Sequence, residues 1–442
     1  MDSSKYCDAD AFFRGMVANR CGGAGFDVGG SYVFSEMLKA ERMLAETSVP
    51  GDPTSAVLAF SVADPVWKMD EMAFQAGCKH YEVSPDATRY TDLAGIRNIT
   101  VFGQKCATTQ EALALLVNRG NKLTADNVQY SPGAIKRALA EYLPTAFFDE
   151  ETILLMPSPS YEVITSPMNC RDASVVKVPL IEKDGTYHLD YKKLHDNVEV
   201  IKTQQRRGFH RKIVMYVNIP HNPTGFGYTK FQWKKLLEFA KKFGILLIVD
   251  EAYVDIAYQH DIVSVTEVDD WQNNSIVIQS ISKAYNATGA RFGWFLAHPT
   301  AIKVLRKAMD CKDSGMPASI IASGLYCLEN KELAAETRKR YEDIHHEFSK
   351  VLGECGFETV LPDAGLCQLS GFPSKAADGT KFKTPTEFAN WLRQNYLVSV
   401  KPENDIGKLR WAATFRPQPE YGLHTEKDVL NELKRRLKLA IG

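Results

Sequence analysis

The 442-residue sequence lacks several features, and each absence removes a class of function. It has no excess of one charge, because 53 Lys and Arg oppose 54 Asp and Glu for a net charge of -1. A dedicated nucleic-acid binder carries a marked basic excess, so no nucleic-acid partner is expected. Its clean apolar runs, such as Ile245 to Val249, are far shorter than the roughly 20 residues that cross a bilayer as a helix. No membrane partner is expected either. The start, Met1 to Asp10, carries acidic residues early and has no apolar stretch of the kind a secretory signal needs. The nine cysteines are irregularly spaced, with no Cys-x-x-Cys pair. That pattern fits reduced thiols and a cytoplasmic location. His345-His346-Glu347 lacks metal-ligand spacing such as His-Glu-x-x-His and is expected on a solvated helical face, so no metal is expected.

What is present is an ordinary globular composition, 45% hydrophobic and 24% charged, in a chain long enough to bury a large core without disulfide or metal staples. The glycine-rich stretch Cys21 to Gly30 reads as part of an N-terminal arm, residues 1–30, because it is not flanked by a strand and a helix. Ser35 to Glu46 has a helical apolar face, and Val57 to Val62 reads as a short strand. From about Asp126 the texture alternates. Gly133 to Leu143 is helix-like, Thr152 to Met156 a strand, Ile213 to Val217 a strand, Lys230 to Phe243 a helix, Ile245 to Val249 a strand, and Ser275 to Ser280 a strand. Such alternation means an α/β layer structure with a mainly parallel sheet. After about Thr300 come a long charged helix over Lys331 to Gly353, strands near Phe357 to Leu361 and Leu409 to Thr414, and a closing helix over Glu426 to Leu439. This α+β texture predicts a smaller second domain. The basic runs Gln204 to Lys212 and Lys434 to Lys438 read as a solvated loop and the polar face of the last helix.

Three of the strands end in polar clusters. Ile213 to Val217 runs into Asn218-Ile-Pro-His-Asn222-Pro-Thr-Gly225, Ile245 to Val249 into Asp250-Glu-Ala-Tyr253, and the third into Ser280-Ile-Ser282-Lys283 with Arg291 beyond. Ligands of open α/β sheets sit outside the carboxyl ends of strands, so these side chains are expected to converge on one crevice. Pyridoxal 5′-phosphate suits them all. Its aldehyde condenses with a lysine amine. Its ring nitrogen stays protonated beside a buried carboxylate such as Asp250. Its phenolic oxygen takes hydrogen bonds from Asn222 and Tyr253. Its phosphate takes hydroxyls and an arginine, Ser280, Ser282 and Arg291, and a helix start, Ser131-Pro-Gly133-Ala134-Ile135.

Taken together, Asn222-Pro-Thr-Gly, Asp250-Glu-Ala-Tyr253 and Ser280-x-Ser-Lys283 followed by Arg291-x-Gly-Trp resemble the class I/II aminotransferase family of fold-type-I pyridoxal-phosphate enzymes, over roughly residues 32 to 440. Ser31-Tyr-Val-Phe-Ser-Glu-Met is similar to the N-terminal segment of LL-diaminopimelate aminotransferase-like members. The resemblance implies a three-layer fold-type-I large domain with a mainly parallel sheet over 86–334. It implies a small α+β domain from 31–85 and 335–442, and a homodimer. It implies amino transfer between an L-amino acid and a 2-oxo acid by a ping-pong route, with Lys283 forming the Schiff base and moving the Cα proton. Asp250 would pair with the pyridinium, and Asn222 and Tyr253 would hold the phenolic oxygen. Tyr161 would stack on the ring, Tyr90 would reach the phosphate of a neighbouring subunit, and Arg410 would grip the substrate carboxylate, with Arg416 the competing candidate. Ala63 stands near the substrate where the family usually has glycine. Ile135 stands where a polar residue is common, and His221 where asparagine is common. Elimination, replacement, cyclisation or oxidation on the same cofactor remains the alternative chemistry. A non-catalytic binder is disfavoured by the presence of both Lys283 and Asp250.

Overall fold

Short runs of leucine, isoleucine and valine form the centre of the molecule, because a strand covered on both faces must be apolar at every position. The computed structural model describes residues 33–442, apart from 86, 121–122, 170–172 and 184. The arm 1–30 and Ser31 therefore lie outside the described residues. The larger sheet has eight strands in the order Val128–Pro132, Phe292–Ala297, Ser275–Ser280, Ile245–Asp250, Lys212–Asn218, Thr152–Ser158, Ser174–Lys183 and Thr186–Leu189. The five from Ser275–Ser280 to Ser174–Lys183 run parallel, and antiparallel pairings occur only towards the two edges. Met215 and Val217 feed one apolar cluster while Val214 and Tyr216 feed the other. Alternation along one strand thus builds both flanking layers.

The helix Lys230–Phe243 shows how the local sequence supports this arrangement. Thr229 and Gln232 form a capping box, Gly244 closes the end at φ +64°, and Trp233, Leu236, Leu237, Ala240 and Phe243 make the buried stripe. Each large apolar side chain fully buried in such a stripe contributes about 1.5–3 kcal/mol.

A second sheet has the order Leu58–Phe60, Val398–Glu403, Lys408–Ala412, Cys367–Ser370 and Thr359–Val360. It packs on its own aromatic core, in which Phe60, Phe348, Trp411 and Phe415 are all buried. The 23-residue helix Glu332–Glu354 joins the two regions. Ala334 and Tyr341 belong to the large core, and Phe348, Val351 and Leu352 to the small one.

Several sequence expectations need correction. His345 is buried, with Nδ1 3.4 Å from Gln368 Oε1 and Nε2 3.2 Å from the Gly365 carbonyl. His346 and Glu347 face outwards as expected. Arg436 is also buried, donating to the carbonyls of Pro53, Ala56, Tyr396 and Leu397 and to Glu432. It ties the last helix to the second sheet, a role that its basic neighbours hide. The run Gln204 to Lys212 does hold the expected solvated loop, over Arg207 to Arg211, flanked by the end of the helix Tyr191–Arg206 and the start of the strand Lys212–Asn218. The Gly133 to Leu143 helix is real but widens into a π-helical turn over Ala138–Tyr142.

Candidate active site

Sheet register builds the floor of the site. Asn218 and Ile278 flank Asp250 in neighbouring parallel strands. Two residues further on, Ser280 faces Gly293, and Gly293 faces Ser131 on its other side. The polar strand ends therefore lie side by side at the carboxyl edge of the sheet, as expected for a ligand crevice.

Asp250 is buried. Its Oδ2 accepts from the Tyr216 hydroxyl at 2.9 Å and its Oδ1 from the Ala252 amide at 3.0 Å. Burial nonetheless pushes its pKa up to about 6, against the opposing pull of Tyr216, Ala252, Asn218 and the Lys283 charge. Among the described residues no cationic side chain forms a salt bridge with it. A carboxylate so placed favours a cation brought into contact with it.

Lys283 lies at the same crevice. Its Nζ donates to the Ala63 carbonyl at 2.9 Å and stands 3.9 Å from Asp64 Oδ1. Burial lowers its pKa, Asp64 and Cys367 oppose that, and the charges of Arg291 and Arg410 add to it. A desolvated lysine among cations holds more of its amine in the neutral, nucleophilic form. Ala63 thus enters the site through its backbone, and the missing glycine leaves that contact available.

A second cradle forms where Arg291 Nη2 donates to the Gly133 carbonyl at 2.8 Å. Gly133 has φ +84°, which a side chain would strain. Gly293 must also be glycine, because a Cβ there would lie 2.7 Å from the Gln279 carbonyl oxygen and 3.1 Å from Ala134 Cα. The turn Gly133-Ala134-Ile135 consequently sits directly against the strand that carries Arg291's neighbours. Ser280 and Ser282 are buried beside it, joined by a 3.4 Å contact from the Ser282 amide to Ser280 Oγ.

The second sheet supplies the remaining wall. Arg410 is buried, and its Nη1 donates to Asn222 Oδ1 at 3.3 Å while Nη2 donates to the Ser61 carbonyl. Arg416 is exposed. Tyr253 is buried, with its hydroxyl pKa raised by burial and with Arg410, Asp250 and Tyr161 within electrostatic reach. Tyr161, half-buried, also interacts with Tyr216. Tyr90 is not brought into this cluster, being 88% exposed. His221 turns away into packing. It stacks on Phe226 at 4.7 Å, meets Thr224 Oγ1 at 2.7 Å, and is held neutral by burial with a pKa of about 3.

Two contacts have no sequence-based forecast. Asn218 donates from Nδ2 to the Asp250 carbonyl and accepts the Asn222 amide on Oδ1, so it shapes the loop carrying Asn222. Tyr216 reads as strand filler in the sequence; it pairs with Ile248, and its hydroxyl reaches diagonally across the two strands to Asp250. Among the described residues no group of His, Cys, Asp and Glu is placed to hold a metal, and no helix is long and apolar enough to cross a membrane.

The donor set suits pyridoxal 5′-phosphate: an amine of lowered basicity, a buried carboxylate without a salt-bridge partner, and an arginine beside a glycine turn with two buried serines. Comparison with known proteins agrees. Residues 88–416 match the family model for aminotransferase class I and II. The LL-diaminopimelate aminotransferase of Methanocaldococcus jannaschii is 31% identical over 309 residues, covering 69% of this chain and 71% of that protein. That of Methanococcus maripaludis is 27% identical over 435 residues, covering 97% and 98%. In fold, the chain is similar to a single mutant of the aspartate aminotransferase of Thermus thermophilus, with a TM-score of 0.75, 19% identity, and coverage of 95% and 99%. The chain therefore belongs to the class I and II aminotransferases, fold-type-I enzymes that depend on pyridoxal 5′-phosphate.

Proposed function

We propose that this aminotransferase moves an amino group from an L-amino acid to a 2-oxo acid by a ping-pong route, with Lys283 as the nucleophile and proton carrier. The observation that carries the reading is the juxtaposition of Lys283, of lowered pKa, with the buried Asp250 at one sheet edge. Pyridoxal 5′-phosphate, when bound, supplies an aldehyde for an amine and an electron-withdrawing ring. Asp250 keeps the ring nitrogen protonated, and Tyr216 keeps Asp250 oriented. Asn222 and Tyr253 hold the phenolic oxygen, and Tyr161 covers the ring. Ser280, Ser282, Arg291 and the amides of Gly133, Ala134 and Ile135 hold the phosphate. Lys283 Nζ would take up and hold the proton lost from the substrate Cα, a task suited to an amine of lowered pKa held at the crevice by the Ala63 carbonyl.

Arg410 receives the α-carboxylate, supported by its contact with Asn222, and the Ala63 backbone lines the donor's position. A guanidinium fork suits that task. LL-diaminopimelate is the first donor to test, because the relatives bear that name. A homodimer and the reach of Tyr90 to a partner's phosphate are supported by its exposure together with exposed Met72, Phe74 and Tyr81. The separate aromatic core supports a small domain built from both parts of the chain, but of residues 31–85 it takes in only Ala56, Leu58 and Phe60, while Ala63, Trp67, Met69 and Ala73 pack on the large core, so the helix Glu71–Val83 sides with the large domain rather than falling before its start at 86. A cytoplasmic location is supported by the free thiols of Cys78, Cys106, Cys311, Cys327, Cys355 and Cys367.

The test is single-turnover mixing of the coenzyme-loaded protein with a panel of amino acids. Loss of the coenzyme's long-wavelength absorbance, restored by a 2-oxo acid without release of ammonia, is the expected result. Ammonia release without an acceptor would replace transfer with elimination.

A further inference from the structure

The second sheet has two unlike faces. Val398, Val400, Leu409 and Trp411 point into the aromatic core. Register places Lys401 opposite Arg410 and Glu403 opposite Lys408. Partners in an antiparallel pair share a face, so Lys401, Glu403, Lys408 and Arg410 all emerge on the face that looks towards the large sheet. On that face Lys401 Nζ donates to Glu403 Oε1, and the same oxygen stands 3.9 Å from Arg410 Nε. The three side chains are 17%, 6% and 3% exposed. Cys367, on the neighbouring strand, feels all three charges.

We propose that Glu403, itself held by Lys401, is the positioning residue for Arg410. The inference rests on the assignment of the substrate carboxylate to Arg410. A buried guanidinium without a counter-charge is strongly unfavourable, and it rotates towards whatever acceptor it finds. Glu403 answers the charge from the Nε edge. Asn222 Oδ1 and the Ser61 carbonyl fix the two terminal nitrogens. The plane of the fork is therefore defined from three sides before a substrate arrives, and the ordering cost of binding falls. Glu403 touches neither substrate nor cofactor in this scheme and acts only through Arg410.

The test compares L-alanine with ethylamine, which differ only in the carboxylate, on the coenzyme-loaded protein. Apparent dissociation constants are read from the change in coenzyme absorbance. Glu403→Ala is expected to weaken L-alanine about tenfold and to leave ethylamine and the free-enzyme spectrum unchanged. Glu403→Gln, of the same volume, shows the same selectivity to a smaller extent and replaces Glu403→Ala should that variant not fold. In an Arg410→Ala background the Glu403 substitution adds nothing further. Equal loss for both ligands, or no loss for either while Arg410→Ala discriminates between them, overturns the positioning role alone. Failure of Arg410→Ala to discriminate removes the carboxylate assignment and the positioning role together.

Discussion

Two adjacent carboxylates, Asp250 and Glu251, leave the same strand on opposite sides and meet opposite treatment. Glu251 enters a closed polar pocket, where Oε2 accepts from Ser264 Oγ and Gln279 Nε2, Oε1 accepts from the Val265 amide, and the Arg119 charge is near. Trp294 extends the network by donating to Gln279. Asp250 enters the crevice with one hydroxyl and one amide, and faces the lysine. Burial raises both pKa values, to about 6 for Asp250 and about 7 for Glu251. The charge that its own chain surrounds with hydrogen bonds is structural, because removing it strands buried donors. The charge that its own chain leaves without a close counter-ion is suited to a ligand.

Lys283→Ala should abolish turnover and the absorbance of the lysine-bound coenzyme. Turnover surviving in that variant would place the nucleophile elsewhere. Asp250→Asn should leave the protein folded and coenzyme bound but slow the Cα proton step by about two to three orders of magnitude, measured in single turnover. Arg410→Ala should weaken the donor by about 2–5 kcal/mol, chiefly in KM. An unchanged KM would transfer the carboxylate to Arg416 or another group. Glu251→Ala should do the reverse of the Asp250 change, lowering stability by about 1–3 kcal/mol in denaturant melts while the rate of the folded fraction holds.

The smallest effect is a matter of sign. The folded pKa of Asp250 is raised above its ordinary value, so the coenzyme-free fold binds this proton more tightly than the unfolded chain does. Its contribution to stability is present below about pH 4 and is lost as pH rises through about 6. Coenzyme-free Asp250→Asn should therefore melt above coenzyme-free wild type at pH 8, and the order should reverse once pyridoxal 5′-phosphate is added. The same order in both states would mean that Asp250 does not meet the cofactor.

Most of the floor of the site could be read from the chain. Apolar runs of five or six residues can only be covered strands here, so the polar residues ending them had to meet at the carboxyl edge. Lys230–Phe243 and Ser275–Ser280 occupy the residues that their patterns predict. The wall contributed by the second sheet was less legible. Arg410 stood out only through resemblance, and the strand Val398–Glu403 that carries Lys401 and Glu403 has no counterpart among the strands expected from the sequence. Arg436 and His345 looked solvated because their sequence neighbours are, and a helix turns each successive side chain by about 100° into different surroundings.

The amino-acid order alone marked out the α/β alternation, the candidate pair Lys283 and Asp250, and the glycine turn, because each depends on local periodicity or on a short run of residues. Tertiary structure decided which buried charges are saturated and which face the crevice. That choice depends on groups such as Ser264, Gln279, Tyr216 and Glu403 arriving from distant strands, and hydrogen bonding in a low-dielectric interior is set by neighbours in space rather than along the chain.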